Sequence, residues 1–145
     1  MTEMPQTERV RHAVLAMPMA RTLQLRFTRL DPGMAEIELP IQDGWCHAPG
    51  HLQATAVFAA ADFAAMSAAA TVLPPGSANA TIDATLKLVA PATGTRLRAR
   101  GRVVNASRLL TVCAAEVYAV DADDRETLCA TMLGTARNVE LRTAA

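Results

Sequence analysis

At 145 residues the chain is the size of one domain, long enough to bury roughly two-thirds of its unfolded surface around a single core. Hydrophobic residues at 51% and charged residues at 19% exclude a long disordered tail. Lys+Arg and Asp+Glu both number 14, so the field that draws a protein to nucleic acid or anionic lipid is missing, and aromatics at 3% leave few platforms for stacking bases.

In chain order, residues 7–17 offer a capping Thr7, the early acid Glu8 and apolar positions at Val10, Ala13, Val14 and Met17, which predicts a short amphipathic helix closed by Pro18. Residues 23–30 alternate with period two, placing Leu23, Leu25 and Phe27 on one face and Gln24, Arg26 and Thr28 on the other. Asp31-Pro32-Gly33 supplies a turn, and Ala35, Ile37 and Leu39 then alternate with Glu36 and Glu38, which predicts a hairpin. A polar stretch broken by Pro49 and Gly50 feeds residues 53–72, the only segment long enough for a major helix. Rich in Ala, with bulk at Val57, Phe58, Phe63 and Met66, that helix is apolar nearly all round and is predicted to be wrapped by the rest of the chain. It is too weakly apolar for a convincing membrane span, so a soluble protein is expected.

Pro74-Pro75-Gly76-Ser77 ends the helix, and four strands are predicted in a meander over residues 80–89, 95–104, 109–120 and 127–139. With so few helices the strands cannot form a doubly wound sheet. The economical solution is a single α+β domain over residues 1–145, an antiparallel sheet covering one central helix. The cysteines, Cys46, Cys113 and Cys129, are odd in number and follow a start with no signal-peptide layout, so they read as free thiols in a reducing cytoplasm.

Asp62 is the only Asp, Glu, Lys or Arg between Asp43 and Asp83, and it falls in the apolar helix. An unpaired buried carboxylate costs several kcal/mol unless its pKa rises or it finds donors, so Asp62 is either functional or held by a structural hydrogen bond. The first-turn amides at Ala54 and Thr55 are unpaired donors at a helix N-terminus; they suit an oxyanion, although ordinary capping uses the same groups. His47 can exchange a proton near neutral pH or simply bond to loop backbone.

Arg96, Arg98, Arg100 and Arg102 share one strand face. They can meet phosphates, or form a solvated face paired with acids such as Asp83 and Glu116, which is the commoner fate of such a stripe. Cys46, His47 and His51 lack a clear fourth ligand and straddle a Pro-Gly break, so no metal site is expected. No Gly-x-Ser-x-Gly elbow or phosphate-binding Gly loop is present.

The run His47-Ala48-Pro49-Gly50-His51-Leu52-Gln53-Ala54-Thr55 followed by Asp62 resembles the hot-dog-fold acyl-CoA thioesterases of the phenylacetyl-CoA thioesterase-like group. In that group the helix start reads approximately Asn-x-x-Gly-x-x-His-Gly-Gly, with an acid nine positions after the His. Here His47 falls on the Asn, Gly50 on the Gly, Gln53 on the His, Ala54 and Thr55 on the two glycines, and Asp62 on the acid. The strand from Ala80 to Leu86, the turn Pro91-Ala92-Thr93-Gly94 and the closing stretch from Leu128 to Thr135 look like the family's later elements.

The resemblance implies a hot-dog fold and hydrolysis of an acyl-CoA or aryl-CoA thioester, with coenzyme A as part of the substrate and no separate cofactor. It implies Asp62 as nucleophile or general base and Ala54 in the oxyanion hole. Gln53 would orient a water or carbonyl without exchanging a proton, leaving that task to His47. Thr81 falls where the family places a water-positioning Ser or Thr, although a Thr near a strand start is also simply good β-propensity. Arg100, Arg102 and Arg108 are the candidates for coenzyme A phosphates. The site would be shared across a homodimer or a dimer of dimers in the cytoplasm, with neither membrane nor nucleic acid as partner. Alternatives are a hot-dog dehydratase or hydratase using His47 and Asp62, whose His-Phe-Pro and Met-Pro-Gly features are not both here, and a non-catalytic acyl-CoA-binding protein. Trp45, Phe58, Phe63 and Met66 are candidates to line an acyl pocket, with core the better expectation for Phe58 and Phe63.

Overall fold

The computed structural model describes residues 3–141. Helix α1 spans Gln6–Leu15 and buries Val10 and Val14, one turn apart on a single face. Pro18 does end the first helical pattern, but it also opens a second short helix, α2, Pro18–Thr22, because a proline at the first helical position lacks only an N–H that would be unpaired there. The strand expected from Leu23 therefore starts later. Leu23 caps α2, Gln24 takes a positive φ of 54°, and β1 runs over Arg26–Asp31.

Strand β2, Met34–Pro40, returns from a turn at Gly33, whose φ of 80° suits a residue without a side chain. A short β3, Cys46–Ala48, pairs with β4, His51–Leu52, around Pro49-Gly50. The central helix α3 occupies Ala54–Thr71, and β5, Ser77–Leu88, β6, Arg96–Ala106, β7, Leu110–Val120, and β8, Glu126–Glu140, complete the chain.

The main sheet has six strands in the order β1-β2-β6-β7-β8-β5, with every neighbouring pair antiparallel. The expected meander holds for β6, β7 and β8 only. Strand β5 pairs with β8 and forms an edge, while β6 inserts beside β2.

The sheet curls around α3, the expected α+β arrangement. By length and composition α3 is apolar enough to cross a bilayer, but most of it is buried inside the domain. Ala60, Ala61, Ala64, Ala65 and Ala68 are fully buried. Facing them are Ile37 and Leu39 of β2, Leu97 and Ala99 of β6, and Cys113, Ala115 and Val117 of β7. Small residues on the helix let its backbone approach β6 so closely that a side chain on Gly101 would meet the Ala64–Ala65 peptide. Gly33 N–H donates to Thr71 Oγ1 at 2.8 Å, tying the β1–β2 turn to the end of α3.

Candidate active site

Asp62 lies midway along α3 and is half-buried. Thr81 Oγ1 donates to Asp62 Oδ1 at 3.0 Å. This contact depends on a β-bulge. Thr81 stands opposite Ala136 and Asp83 opposite Thr135, so Ile82 is an extra residue in β5. The extra residue inverts the alternation, and Thr81 faces the helix together with Ala84 and Leu86 rather than against them. Burial pushes the Asp62 carboxyl above the usual aspartate range, and the Thr81 hydroxyl pulls it part of the way back. Beneath the helix, burial and then the Asp62 charge raise the Cys113 thiol to about 11, which keeps it protonated and unreactive.

Beside Asp62 opens a cavity of about 390 Å³ between α1, α3 and the start of β5. Val10, Val14, Met17, Phe63 and Met66 make its walls mainly apolar. Asn79, also on the wall, donates through Nδ2 to Met66 O at 2.9 Å and clips β5 to the helix. The contribution of α1 was not readable from the sequence, whose amphipathic pattern shows only that α1 packs on something. Phe58 departs from expectation, 36% exposed on α3, whereas Phe63 is half-buried, packed against the core while also lining the cavity. Met66 lines the cavity and Trp45 does not.

The start of α3 forms a second centre. Gln53 is its N-cap residue, in extended conformation, and its side chain makes no capping bond. The loop before it is held by Leu52 N–H to Ala92 O at 3.0 Å and Gln53 N–H to Trp45 O at 2.9 Å. The Gln53 carbonyl accepts from Ala56 and Val57, whereas the amides of Ala54 and Thr55 find no acceptor among the described residues. Both residues are exposed, at the positive end of the helix dipole. His47, on β3, is exposed, its ring centroid 6.0 Å from that of His51. It opens on a shallow cleft with Asp43 and Cys46, apart from the Asp62 cavity. Within one protomer, then, Thr81 meets Asp62, while Gln53, Ala54 and His47 sit at the other end. From Ala54 to Asp62 the helix rises about 12 Å. No cluster of metal-binding side chains occurs among the described residues.

The arginine stripe lies on the opposite face of the sheet and is largely occupied. Arg98 bonds through Nε to Glu38 at 2.7 Å, and Arg26 and Arg96 bond to the same carboxylate. Arg100 spans Glu36 at 2.8 Å and Glu126 at 2.6 Å while stacking over Tyr118, and Arg102 holds Glu116 at 2.8 Å. Glu38 is only 3% exposed although it points outward, because arginines roof it over. Burial alone would raise its carboxyl, yet Arg26, Arg98 and Arg96 together hold it below the usual range. Arg108, in the β6–β7 turn, has no ion-pair partner among the described residues and borders a small cleft with Ser107, Thr111 and Asn138.

An antiparallel sheet wrapped around one long central helix is the hot-dog fold. The family described as the thioesterase superfamily matches residues 49–125, more than half of the chain, and the chain belongs to it. The chain is 31% identical to a thioesterase family protein from Silicibacter pomeroyi, with a TM-score of 0.88 over 92% of this chain and 97% of that one. A thioesterase from Haemophilus influenzae has the same fold at 16% identity, with a TM-score of 0.81 and 97% and 95% coverage. The PaaI protein of the E. coli phenylacetic acid degradation operon likewise shares the fold at 17% identity, with a TM-score of 0.79 and 94% and 97% coverage. No curated protein sequence matches the chain. Thioester hydrolysis is the chemistry this membership assigns in general form.

Proposed function

We propose that the protein hydrolyses acyl-CoA or aryl-CoA thioesters in the cytoplasm, as a homodimer or dimer of dimers. In this reading Asp62 of one copy works with the α3 start of another. The observation that carries it is Asp62 itself, a half-buried carboxylate whose hydrogen-bond partner is Thr81, on the wall of an apolar cavity. The free amides of Ala54 and Thr55 supply the complementary donors, but at about 12 Å along the same helix they cannot reach the same carbonyl. A second copy can present them. The exposed Thr55 and Phe58 and the half-buried Asp62, spaced three and four apart, form one stripe of α3 for that copy to cover, and the edge strand β5 lies alongside.

In the reaction the thioester oxygen accepts from the Ala54 and Thr55 amides as negative charge develops on it. Asp62 takes a proton from a water that attacks the carbonyl carbon, and the tetrahedral intermediate then expels the thiolate, which takes up a proton. Direct attack by the carboxylate, giving an anhydride that water opens, uses the same placement. The raised pKa suits a base, since a more basic carboxylate accepts a proton more readily. Thr81 steadies one carboxylate oxygen and leaves the other for water. In this reading Gln53 orients the water or carbonyl by hydrogen bonding, and His47 passes a proton to the departing thiolate. Of the three candidate arginines, Arg108 is the one free to meet coenzyme A phosphates, because Arg100 and Arg102 would first have to leave their carboxylates.

The test is thiol release from a panel of short, medium and aryl acyl-CoAs. Asp62→Asn should lower kcat by at least about a hundredfold with little change in thermal stability. A panel with no release at all would sink the thioesterase reading in favour of an acyl-CoA-binding protein, and release that survives Asp62→Asn would remove Asp62 from the mechanism.

A further inference from the structure

Asp62, Thr81 and the start of α3 lie within residues 49–125, the stretch that the family matches, and α1 lies outside it. Yet α1 builds one wall of the cavity beside Asp62, through Val10 and Val14, and Met17 just beyond its end adds to that wall. The two valines are only 5% and 7% exposed. Gln6 Nε2 donates to Ala70 O at 3.1 Å, which pins the start of α1 to the later half of α3.

We infer that α1 sets the acyl selectivity of this site, and that the space between α1 and α3 seats an unbranched acyl chain of about eight to ten carbons. The inference rests on the thioesterase reading and specifies its substrate. The length comes from the helix. Asp62 and Ala70 both line the cavity, and between them α3 rises about 12 Å. An extended alkyl chain gains about 1.25 Å per carbon, from a bond of about 1.5 Å bent at about 111°. A chain whose thioester lies at Asp62 therefore reaches Ala70 with about ten carbons, and with fewer if it is partly coiled.

The volume points the same way. A cavity of about 150 Å³ suffices for benzene, so a phenylacetyl group would leave about half of the 390 Å³ here unfilled. Unfilled apolar space forfeits contacts on every wall that faces it. Valines 10 and 14, with Phe63, suit methylenes, and the thioethers of Met17 and Met66 adapt to a chain that bends. The polar residues of the wall offer a ligand tip little to bond. Gln6 Oε1 and Ser67 Oγ are buried out of its reach, and Asn79 Nδ2 is spent on Met66 O. Arg9, the cation on this wall, pairs with Glu3 at 3.6 Å.

The experiment measures kcat/KM for butanoyl-, hexanoyl-, octanoyl-, decanoyl-, dodecanoyl- and phenylacetyl-CoA with the wild type, Val14→Phe and Ala13→Phe. Ala13 lines the cavity but is exposed, so its replacement needs no repacking and covers the case in which Val14→Phe fails to fold. Each protein is read relative to its own butanoyl-CoA value, so a general loss of activity cancels. The wild type should gain about fourfold per added methylene up to octanoyl or decanoyl and then level off or fall. It should favour octanoyl over phenylacetyl by at least about tenfold. Both substitutions should move the optimum to a shorter chain. Calorimetric binding of the matching S-alkyl-CoA thioethers, which cannot be hydrolysed, should tighten with chain length in the same order. If no thioester is cleaved but the thioethers keep that order, the enzyme reading fails and the acyl pocket stands. A wild-type profile flat in chain length in both rates and binding, an optimum at phenylacetyl, or a length profile left unchanged by the α1 substitutions would overturn the inference.

Discussion

Replacing Gly101 with alanine puts a methyl group where α3 already runs. The new carbon would overlap the Ala64 carbonyl and lie 2.7 Å from the Ala65 amide nitrogen. These are backbone atoms of a helix, so no flexible side chain can swing aside. Carbon contacts settle at about 3.5–4.0 Å, so α3 must retreat from β6 by about 1 Å. The helix positions facing the sheet are Ala60, Ala61, Ala64, Ala65 and Ala68, all fully buried and too short to follow the sheet as the helix lifts. A gap of 0.5–1 Å forfeits roughly a quarter to a half of the dispersion energy along the seam. Together with overpacking strain of about 1–3 kcal/mol, this puts the loss at about 3–4 kcal/mol. For a chain of this length 1 kcal/mol moves Tm by about 3 °C, so Gly101→Ala should melt about 10 °C below wild type by calorimetry or circular dichroism. Gly44→Ala is the control. Its added carbon meets nothing within 4 Å, and its stability should stay within about 0.5 kcal/mol of wild type. Asp62 sits two residues before Ala64, so the lift also draws it off Thr81, and hydrolysis by the folded variant should fall by about a hundredfold. A Gly101→Ala protein melting within about 2 °C of wild type would refute the close approach of α3 to β6.

Glu38→Gln keeps the shape but withdraws the charge from Arg26, Arg96 and Arg98, which should cost about 2–3 kcal/mol, less than a fully buried pair because Arg26 is largely exposed. The folded-state pKa of Glu38 is depressed below 4.5, so its contribution is complete above that pH and fades as pH falls through the depressed value. The Tm gap between wild type and Glu38→Gln should therefore be constant above about pH 4.5 and shrink below it; a gap that widens in acid contradicts the pairing. Thr81→Val removes the donor that stabilises the Asp62 carboxylate, so the acid limb of the kcat/KM profile should move to higher pH, and a limb that stays put would detach Thr81 from the mechanism.

The central helix was legible because nothing else in the chain is long, Ala-rich and bounded by Pro-Gly on both sides, and the paired strands were legible from period-two alternation. Asp62 was legible as the one charge in an apolar stretch. What could not be read were the features set by pairing between distant residues. Strand β5 goes to β8 because of contacts across the sheet, and no local signal in residues 77–88 distinguishes that from a meander. The bulge at Ile82 is invisible for the same reason, since it is a mismatch against β8, and without it the Thr81–Asp62 bond could only be guessed. The arginine stripe was read correctly as one face and Glu116 correctly as a partner, but Asp83, on the edge strand β5, pairs with none of the four. The dominant acids turned out to be Glu36, Glu38 and Glu126, delivered by strand order.

That strand order also decides how the two surfaces of the domain differ. On the outer face of the sheet the arginines of β6 lie between glutamates from β2, β7 and β8, so their charge is largely neutralised within the chain. A partner would have to offer better ion pairs than those already made, and exposed pairs are worth about 1 kcal/mol or less. On the other side the open stripe of α3 carries Phe58 one turn before Asp62, apolar surface that gains by being covered. Covering it removes water from around the carboxylate, raises its pKa further and makes each remaining hydrogen bond to the reacting carbonyl stronger. In the proposed dimer, assembly and catalysis therefore draw on the same stripe of helix, and a substitution such as Phe58→Lys that keeps the copies apart should also silence Asp62.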